Sequence, residues 1–132
     1  MTLAPLLAAP ATVQLHAFSA MAALALGIVQ LVAPRGTLPH RWLGRLWVVL
    51  MAMVALSSFW ITSAARGHRY SYIHLISLAV LILLPLAVMR VRQGSVAAHG
   101  RLMISIFFGG LIIAGGATLL PGRIMGAVVF GW

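Results

Sequence analysis

Residues 11–32 read ATVQLHAFSAMAALALGIVQLV, twenty-two residues with no formal charge and with Thr12, Gln14, His16, Ser19 and Gln30 as the only polar side chains. Wound as a helix at about 1.5 Å per residue, such a run is about 33 Å long, enough to cross a hydrocarbon layer about 30 Å thick. It is continuously apolar and does not alternate, so it reads as a membrane helix and not as a barrel strand.

Three more stretches of the same kind follow, at roughly Trp42–Ala65, Tyr72–Met89 and Leu102–Leu120. Across the 132 residues, 63% are hydrophobic and 7% charged, and the mean hydropathy is +1.11, far from the composition of a soluble globular domain. The chain is read as an integral membrane protein. The connections are short and carry helix breakers: Ala33-Pro34-Arg35-Gly36-Thr37-Leu38-Pro39, Arg66-Gly67-His68-Arg69 and Arg90-Val91-Arg92-Gln93-Gly94-Ser95. Short links make consecutive helices antiparallel neighbours, so the expected fold is all-α: one transmembrane up-and-down four-helix bundle, a single domain over residues 1–132. The apolar tail Ile124–Trp132 is too short to span, and Trp132 suits an interfacial anchor. The Ala-rich start lacks a basic leader and runs straight into a full-length span, so it reads as an uncleaved first helix.

Arginine supplies every positive charge. Six arginines, Arg35, Arg41, Arg45, Arg90, Arg92 and Arg101, flank the first and third connections, against three, Arg66, Arg69 and Arg123, on the other side. The positive-inside rule then puts both termini outside the cytoplasm. A net charge of +9 would suggest nucleic acid in a soluble protein; with each arginine near a helix end, contact with lipid phosphates is the reading taken, and nucleic-acid binding is set aside. With no Asp or Glu, carboxylate acid–base catalysis, a carboxylate proton relay and an oxygen-ligated calcium site are excluded. With no Cys, so are disulfides, thiolate metal sites and cysteine nucleophiles.

What the chain offers instead is histidine. His16, His40, His74 and His99 each stand at the start of an apolar stretch, where an ionisable group is costly and is kept mainly for function. Antiparallel order puts His16 and His74 at one membrane face and His40 and His99 at the other, each pair from alternate helices that lie diagonally across the bundle. His40 and His99 stand just outside their stretches, within reach of water or lipid phosphate. His68, between two arginines, reads as a solvated loop residue.

Helical phase puts Ala20, Ala23, Gly27 and Gln30 with His16; Gly44, Trp47, Met51, Ser58 and Thr62 with His40; Leu78, Leu81 and Pro85 with His74, Ser77 close by; and Met103, Ile106, Gly110, Ile113 and Ala117 with His99. Small residues, including Ser19-Ala23-Gly27 and Ser105-Gly109 at small-xxx-small spacing, let backbones approach and equally make room for a flat macrocycle. Neutral imidazole is an axial ligand for haem iron, and bundle cores hold such cofactors. The expectation is haem b, one or two, with His16 and His74 as the outer ligands and His40 and His99 as the inner ones. Arg41, Arg45 and Arg101 would contact haem propionates or lipid phosphates, around an inner pocket of haem or quinone size.

This layout resembles the four-helix core of the cytochrome b561 family, in which histidines from alternate helices ligate two haems. The resemblance covers the four histidine positions and implies electron transfer through or at the bilayer. At the level of sequence, Leu38-Pro39-His40-Arg41 with Gly44-Arg45, Ile73-His74-Leu75-Ile76-Ser77-Leu78, Ala98-His99 with Arg101-Leu102-Met103-Ile104, and Leu120-Pro121-Gly122-Arg123 resemble a family of uncharacterised bacterial four-helix membrane proteins. That likeness implies the fold and a place in the bacterial inner membrane, with no assigned activity.

Two other readings stay open. One is a non-catalytic accessory subunit of a larger respiratory or photosynthetic membrane complex. The other is a copper(I) protein, in which Met21, Met51, Met53 and Met103 add thioethers to the imidazoles; Met is also an ordinary core filler. For the orientation, a reporter fused within the Gly94-Ser95 loop is expected to read as cytoplasmic, and a periplasmic signal there would reverse the assignment.

Overall fold

The computed structural model describes the backbone of residues 1–65, 72–121 and 123–131, and their side chains except at 62–65 and 72–73. In chain order the helices are α1 (Ala4–Leu7), α2 (Ala11–Val32), α3 (Leu38–Ala65), α4 (Tyr72–Arg92), α5 (Val96–Ile106), α6 (Ala114–Ala117) and α7 (Ile124–Phe130). A π-helical segment, Phe107–Ile113, joins α5 to α6 in one continuous rod. Among the described residues four stretches are long and apolar enough to cross a membrane: Ala11–Val32, Leu38–Ile61, His74–Arg92 and Val96–Ala117. Consecutive spans pack side by side, α2 on α3, α3 on α4 and α4 on α5, and the π-helical segment closes the bundle against α2 and α4.

The first span has the bounds that hydropathy gave it. The others are longer at their polar ends, because helix starts are set by caps before apolarity takes over. Thr37 stands before α3: its Oγ1 accepts from the His40 amide at 3.4 Å and its carbonyl from the Arg41 amide at 3.1 Å. Pro39 in the first turn wastes no donor, since the first amides of a helix have no intrahelical acceptor. The helix therefore starts at Leu38 and not at Trp42. In the same way α5 starts at Val96, six residues before the apolar run, with the His99 amide bonded to the Ser95 carbonyl at 3.0 Å. Gly94, at φ +83°, makes the reversal from α4 to α5 in a conformation that side chains disfavour. His40 and His99 are thus helical residues, inside their spans.

The core follows the phase on α2, where Ala17, Ser19, Ala23 and Gly27 are buried. On α4 the buried stripe is His74, Ser77, Val80, Leu84 and Ala87. Leu78, expected with His74, is 50% exposed, and Pro85 faces outward: the true stripe steps by three more often than by four. On the fourth span Ile106 belongs to the core as expected, but Leu111 is buried and Ile113 is 66% exposed. The wider π-helical turns rotate every later residue away from the straight-helix phase. Gly110 fits here because a Cβ would lie 3.0 Å from Met51 Cε and 3.1 Å from Val80 Cγ2. By contrast, a Cβ on Gly109 would meet nothing within 4 Å, so the Ser105-Gly109 spacing makes no helix contact within the chain.

The middle of the bundle is an aromatic layer. Trp47 gives its indole hydrogen to the Ala23 carbonyl at 3.0 Å, and Phe107 packs into the gap left by Gly27. The chain ends meet at the His16 end: Thr2 bonds to the Val128 carbonyl at 3.0 Å, and Leu6, Ala17 and Val128 form a second small core. The apolar tail accordingly folds as α7, docked on α1. His68, Arg66, Arg69 and the terminal Trp132 lie outside the described residues, as does the side chain of Thr62.

A Cβ on Gly27 would stand 2.5 Å from Phe107 Cε2 and 3.0 Å from Trp47 Nε1. Gly27→Val is expected to cost about 1–3 kcal/mol through overpacking. Gly100 has nothing within 4 Å of its would-be Cβ, so Gly100→Ala is expected to gain up to about 1 kcal/mol from helix propensity. Thermal denaturation in detergent compares the two, and equal melting temperatures for both variants would contradict the packing described.

Candidate functional site

Three consecutive residues of α3, Ser57, Ser58 and Phe59, assemble the His16 end. Ser57 Oγ lies 2.9 Å from His16 Nδ1 on α2. The Phe59 ring meets the His74 ring of α4 at 5.3 Å between centroids, tilted by 52°. Between them Ser58 Oγ lies 2.6 Å from Ser77 Oγ, buried. Successive residues on a helix point in different directions, so one turn of α3 reaches α2 on one side and α4 on the other. The expected pair His16 and His74 is therefore brought to one end and one depth.

Ser57 Oγ also lies 3.1 Å from the Val54 carbonyl, and Ser58 Oγ 2.7 Å from the Ala55 carbonyl. Where each serine gives its hydrogen to the carbonyl of its own helix, Nδ1 of His16 is the donor toward Ser57 and a neutral His16 keeps its lone pair on Nε2.

His16 faces a cavity of about 680 Å³ walled by α2, α3, α4 and the fourth span, and covered by residues of α1 and α7. Small residues make the space, Ala20, Ala55 and Gly110 among them, and the polar groups on the wall include His16, Ser58, Ser77 and Arg123. His74, 5% exposed, is held behind the wall against Phe59 and is not part of it. Of the four methionines weighed as ligands, Met21 and Met51 are on this wall, whereas Met53 is exposed to the outside.

At the opposite end, His99 Nδ1 lies 2.8 Å from the Ala87 carbonyl of α4. A carbonyl only accepts, so Nδ1 donates and Nε2 is left with its lone pair. His40 is close enough to His99 and Arg35 to feel their charge. Gln30, near the end of α2, donates its amide hydrogen to the His40 carbonyl at 2.9 Å. The three arginines expected here are exposed: Arg45 stacks over the Trp42 ring with its guanidinium carbon 5.1 Å from the centroid, and Arg101 Nε reaches back to the Ala97 carbonyl at 3.4 Å. Such placement suits lipid phosphates or the acidic rim of a ligand.

Among the described residues no group of three or more His, Cys, Asp or Glu is set to hold a metal ion. Sequence reasoning passed over Ser57 and the Ala87 carbonyl, the groups that orient the imidazoles. A serine pair inside an apolar span that runs antiparallel to a histidine-bearing one was the available signal for the first; a backbone carbonyl leaves none.

The sequence model of the family described as "Predicted membrane protein (DUF2306)" matches residues 13–129 of the chain. No curated protein and no solved structure matches it.

The Ser58–Ser77 bond ties α3 to α4 next to both histidines. In a double-mutant cycle with Ser58→Ala and Ser77→Ala, a coupling of about 0.6 kcal/mol, and no more than about 1.7, is expected for an interhelical bond in a membrane. Additive losses would mean that the two hydroxyls do not meet.

Proposed function

Since the chain belongs to the DUF2306 family of predicted membrane proteins, a description that gives location and not chemistry, we propose that its chemistry lies in its histidines. On this reading the protein is a small b-type haem protein that transfers electrons across or at the bilayer. His16 and His74 are the candidate axial ligands at one end, and His40 and His99 at the other. The arginine bias orients it with both termini outside the cytoplasm of a bacterial inner membrane.

The observation that supports this most is the state of two imidazoles, one at each end of the bundle. His99 gives Nδ1–H to the Ala87 carbonyl, and on this reading His16 gives its own to Ser57; histidines that ligate metals are held in this way, through the ring nitrogen that the metal does not use. A lone pair on Nε2 inside a membrane serves little structural purpose, whereas it is what an iron or copper ion takes. The fit extends to the space: an apolar cavity of about 680 Å³ beside His16, with Arg123 on its wall, has the size range of cofactor pockets and a cation for a carboxylate edge. A bound haem would supply an iron that takes and gives one electron at a time. The chain's part is to orient the imidazoles, keep water from the ligand bonds and pair the propionates. His74, buried against Phe59, would reach the cavity by a change of side-chain rotamer, as the gap between diagonal helices is filled.

Copper(I) is the second reading, favoured by Met21 and Met51 sharing the cavity wall with His16. Light absorption decides between them. Protein produced with ample haem and purified in detergent is expected to show the Soret and α bands of low-spin haem b, at one or two haems per chain. His74→Ala abolishes the signal of the site it shares with His16; where two haems are bound, His99→Ala lowers the count to one, and one haem insensitive to that change leaves a single-site protein. A colourless wild-type protein that retains copper supports the second reading. One that retains neither metal nor haem overturns both and leaves the accessory-subunit reading.

A further inference from the structure

Two buried polar side-chain atoms in the described residues stand without a hydrogen-bond partner, Gln30 Oε1 and His40 Nδ1. Each such atom costs about 1–3 kcal/mol where nothing meets it, and both belong to the same small cluster where the end of α2 meets the start of α3. We infer that Gln30 is the positioning residue of His40: its carboxamide oxygen takes the Nδ1 proton, which fixes the tautomer that leaves His40 Nε2 open to a ligand.

The geometry of the carboxamide carries this. Gln30 Nε2 donates to the backbone carbonyl of His40 at 2.9 Å. That bond decides which way the amide faces, because turning it over would put Oε1 against another oxygen. Oε1 is therefore an acceptor beside residue 40 and needs a donor. Gly44, one turn after His40, gives the amide its place: a Cβ there would stand 3.3 Å from Gln30 Nε2. Of the two imidazole nitrogens, Nδ1 is the nearer to the residue's own backbone, and it is the one left buried and unpartnered. Rotation about soft terminal torsions brings donor and acceptor together, and one bond removes both unpartnered atoms.

Of the neighbours, Arg35 has donors only. His99 gives its Nδ1 hydrogen to the Ala87 carbonyl, and its Nε2 is a rival acceptor that the Gln30→Leu variant tells apart from Gln30. With Gln30 in place, His40 follows the same pattern as His99 with Ala87: Nδ1–H given to the protein, Nε2 kept for a ligand. That the ligand is haem iron rests on the function proposed above; the tautomer does not.

The test is nitrogen-15 NMR of the full-length protein with labelled histidine in lipid nanodiscs, the His40 signals being those lost in His40→Ala. In the wild type, Nδ1 of His40 is expected at a protonated shift and Nε2 at an unprotonated one. Gln30→Leu moves His40 toward the opposite tautomer and leaves His16 and His99 unchanged. In protein carrying haem, Gln30→Leu weakens retention at the His40–His99 site by about 10- to 100-fold, the usual effect of losing such a partner. Identical His40 nitrogen shifts in the wild type and in Gln30→Leu overturn the inference, as does a wild-type His40 protonated at Nε2. If the shifts respond to Gln30 but no haem is bound, the inference stands and the haem reading falls. Should Gln30→Leu not fold, the wild-type tautomer decides the matter.

Discussion

Inside a hydrocarbon layer, a polar hydrogen that finds no acceptor in the protein finds none at all, and the interior of this chain is arranged by that constraint. The bonds that answer it run between helices. Trp47 to the Ala23 carbonyl and His16 to Ser57 pin α2 to α3 near the middle and near one end. Ser77 to Ser58 pins α3 to α4, and His99 to the Ala87 carbonyl pins α4 to α5. Helices in lipid gain little from burying apolar side chains against one another, since lipid tails are as apolar. A few directed bonds and close packing at small residues therefore fix which residue lies opposite which.

The same bonds join structure to the proposed chemistry. A serine or a carbonyl that fixes helix register also fixes the tautomer of the histidine that donates to it. The fold and the ligand geometry are then one set of contacts, and a change at Ser57 or Ala87 would disturb both. Dense packing at the centre, with Phe107 seated over Gly27, separates the two histidine levels and holds each near its own membrane face.

Much of this was legible in the sequence because its signals are composition and period. Four apolar runs fix four spans, short links fix their antiparallel order, and the first span's residues Ala23 and Gly27 fell on the expected face. What the sequence hid has physical causes. Hydropathy is blind to capping, so the polar Leu38–Arg41 and Val96–Arg101 looked like connections when Thr37 and Ser95 had already begun the helices. A constant 100° step fails across Phe107–Ile113, where the backbone bonds change register, and this misplaced Ile113. At the candidate site the histidines stood out as costly residues, but the partners that orient them include a backbone carbonyl, which has no signature in a sequence.

The aromatic layer has a further, electrical meaning. Between the serine and histidine cluster at one end and Gln30 with His40 at the other, the core holds Trp47, Met51, Val80, Leu84, Ile106 and Phe107, and the one indole hydrogen there is already committed to Ala23. These side chains offer no further exchangeable proton, and the chain has no Asp or Glu. On the proposed reading, a charge passed from one end to the other would travel without a compensating proton, so the redox balance between the two levels would answer to the membrane voltage, by about 2.3 kcal/mol per elementary charge for each 100 mV spanned. The layer that gives the bundle its packing would thereby make the protein electrogenic.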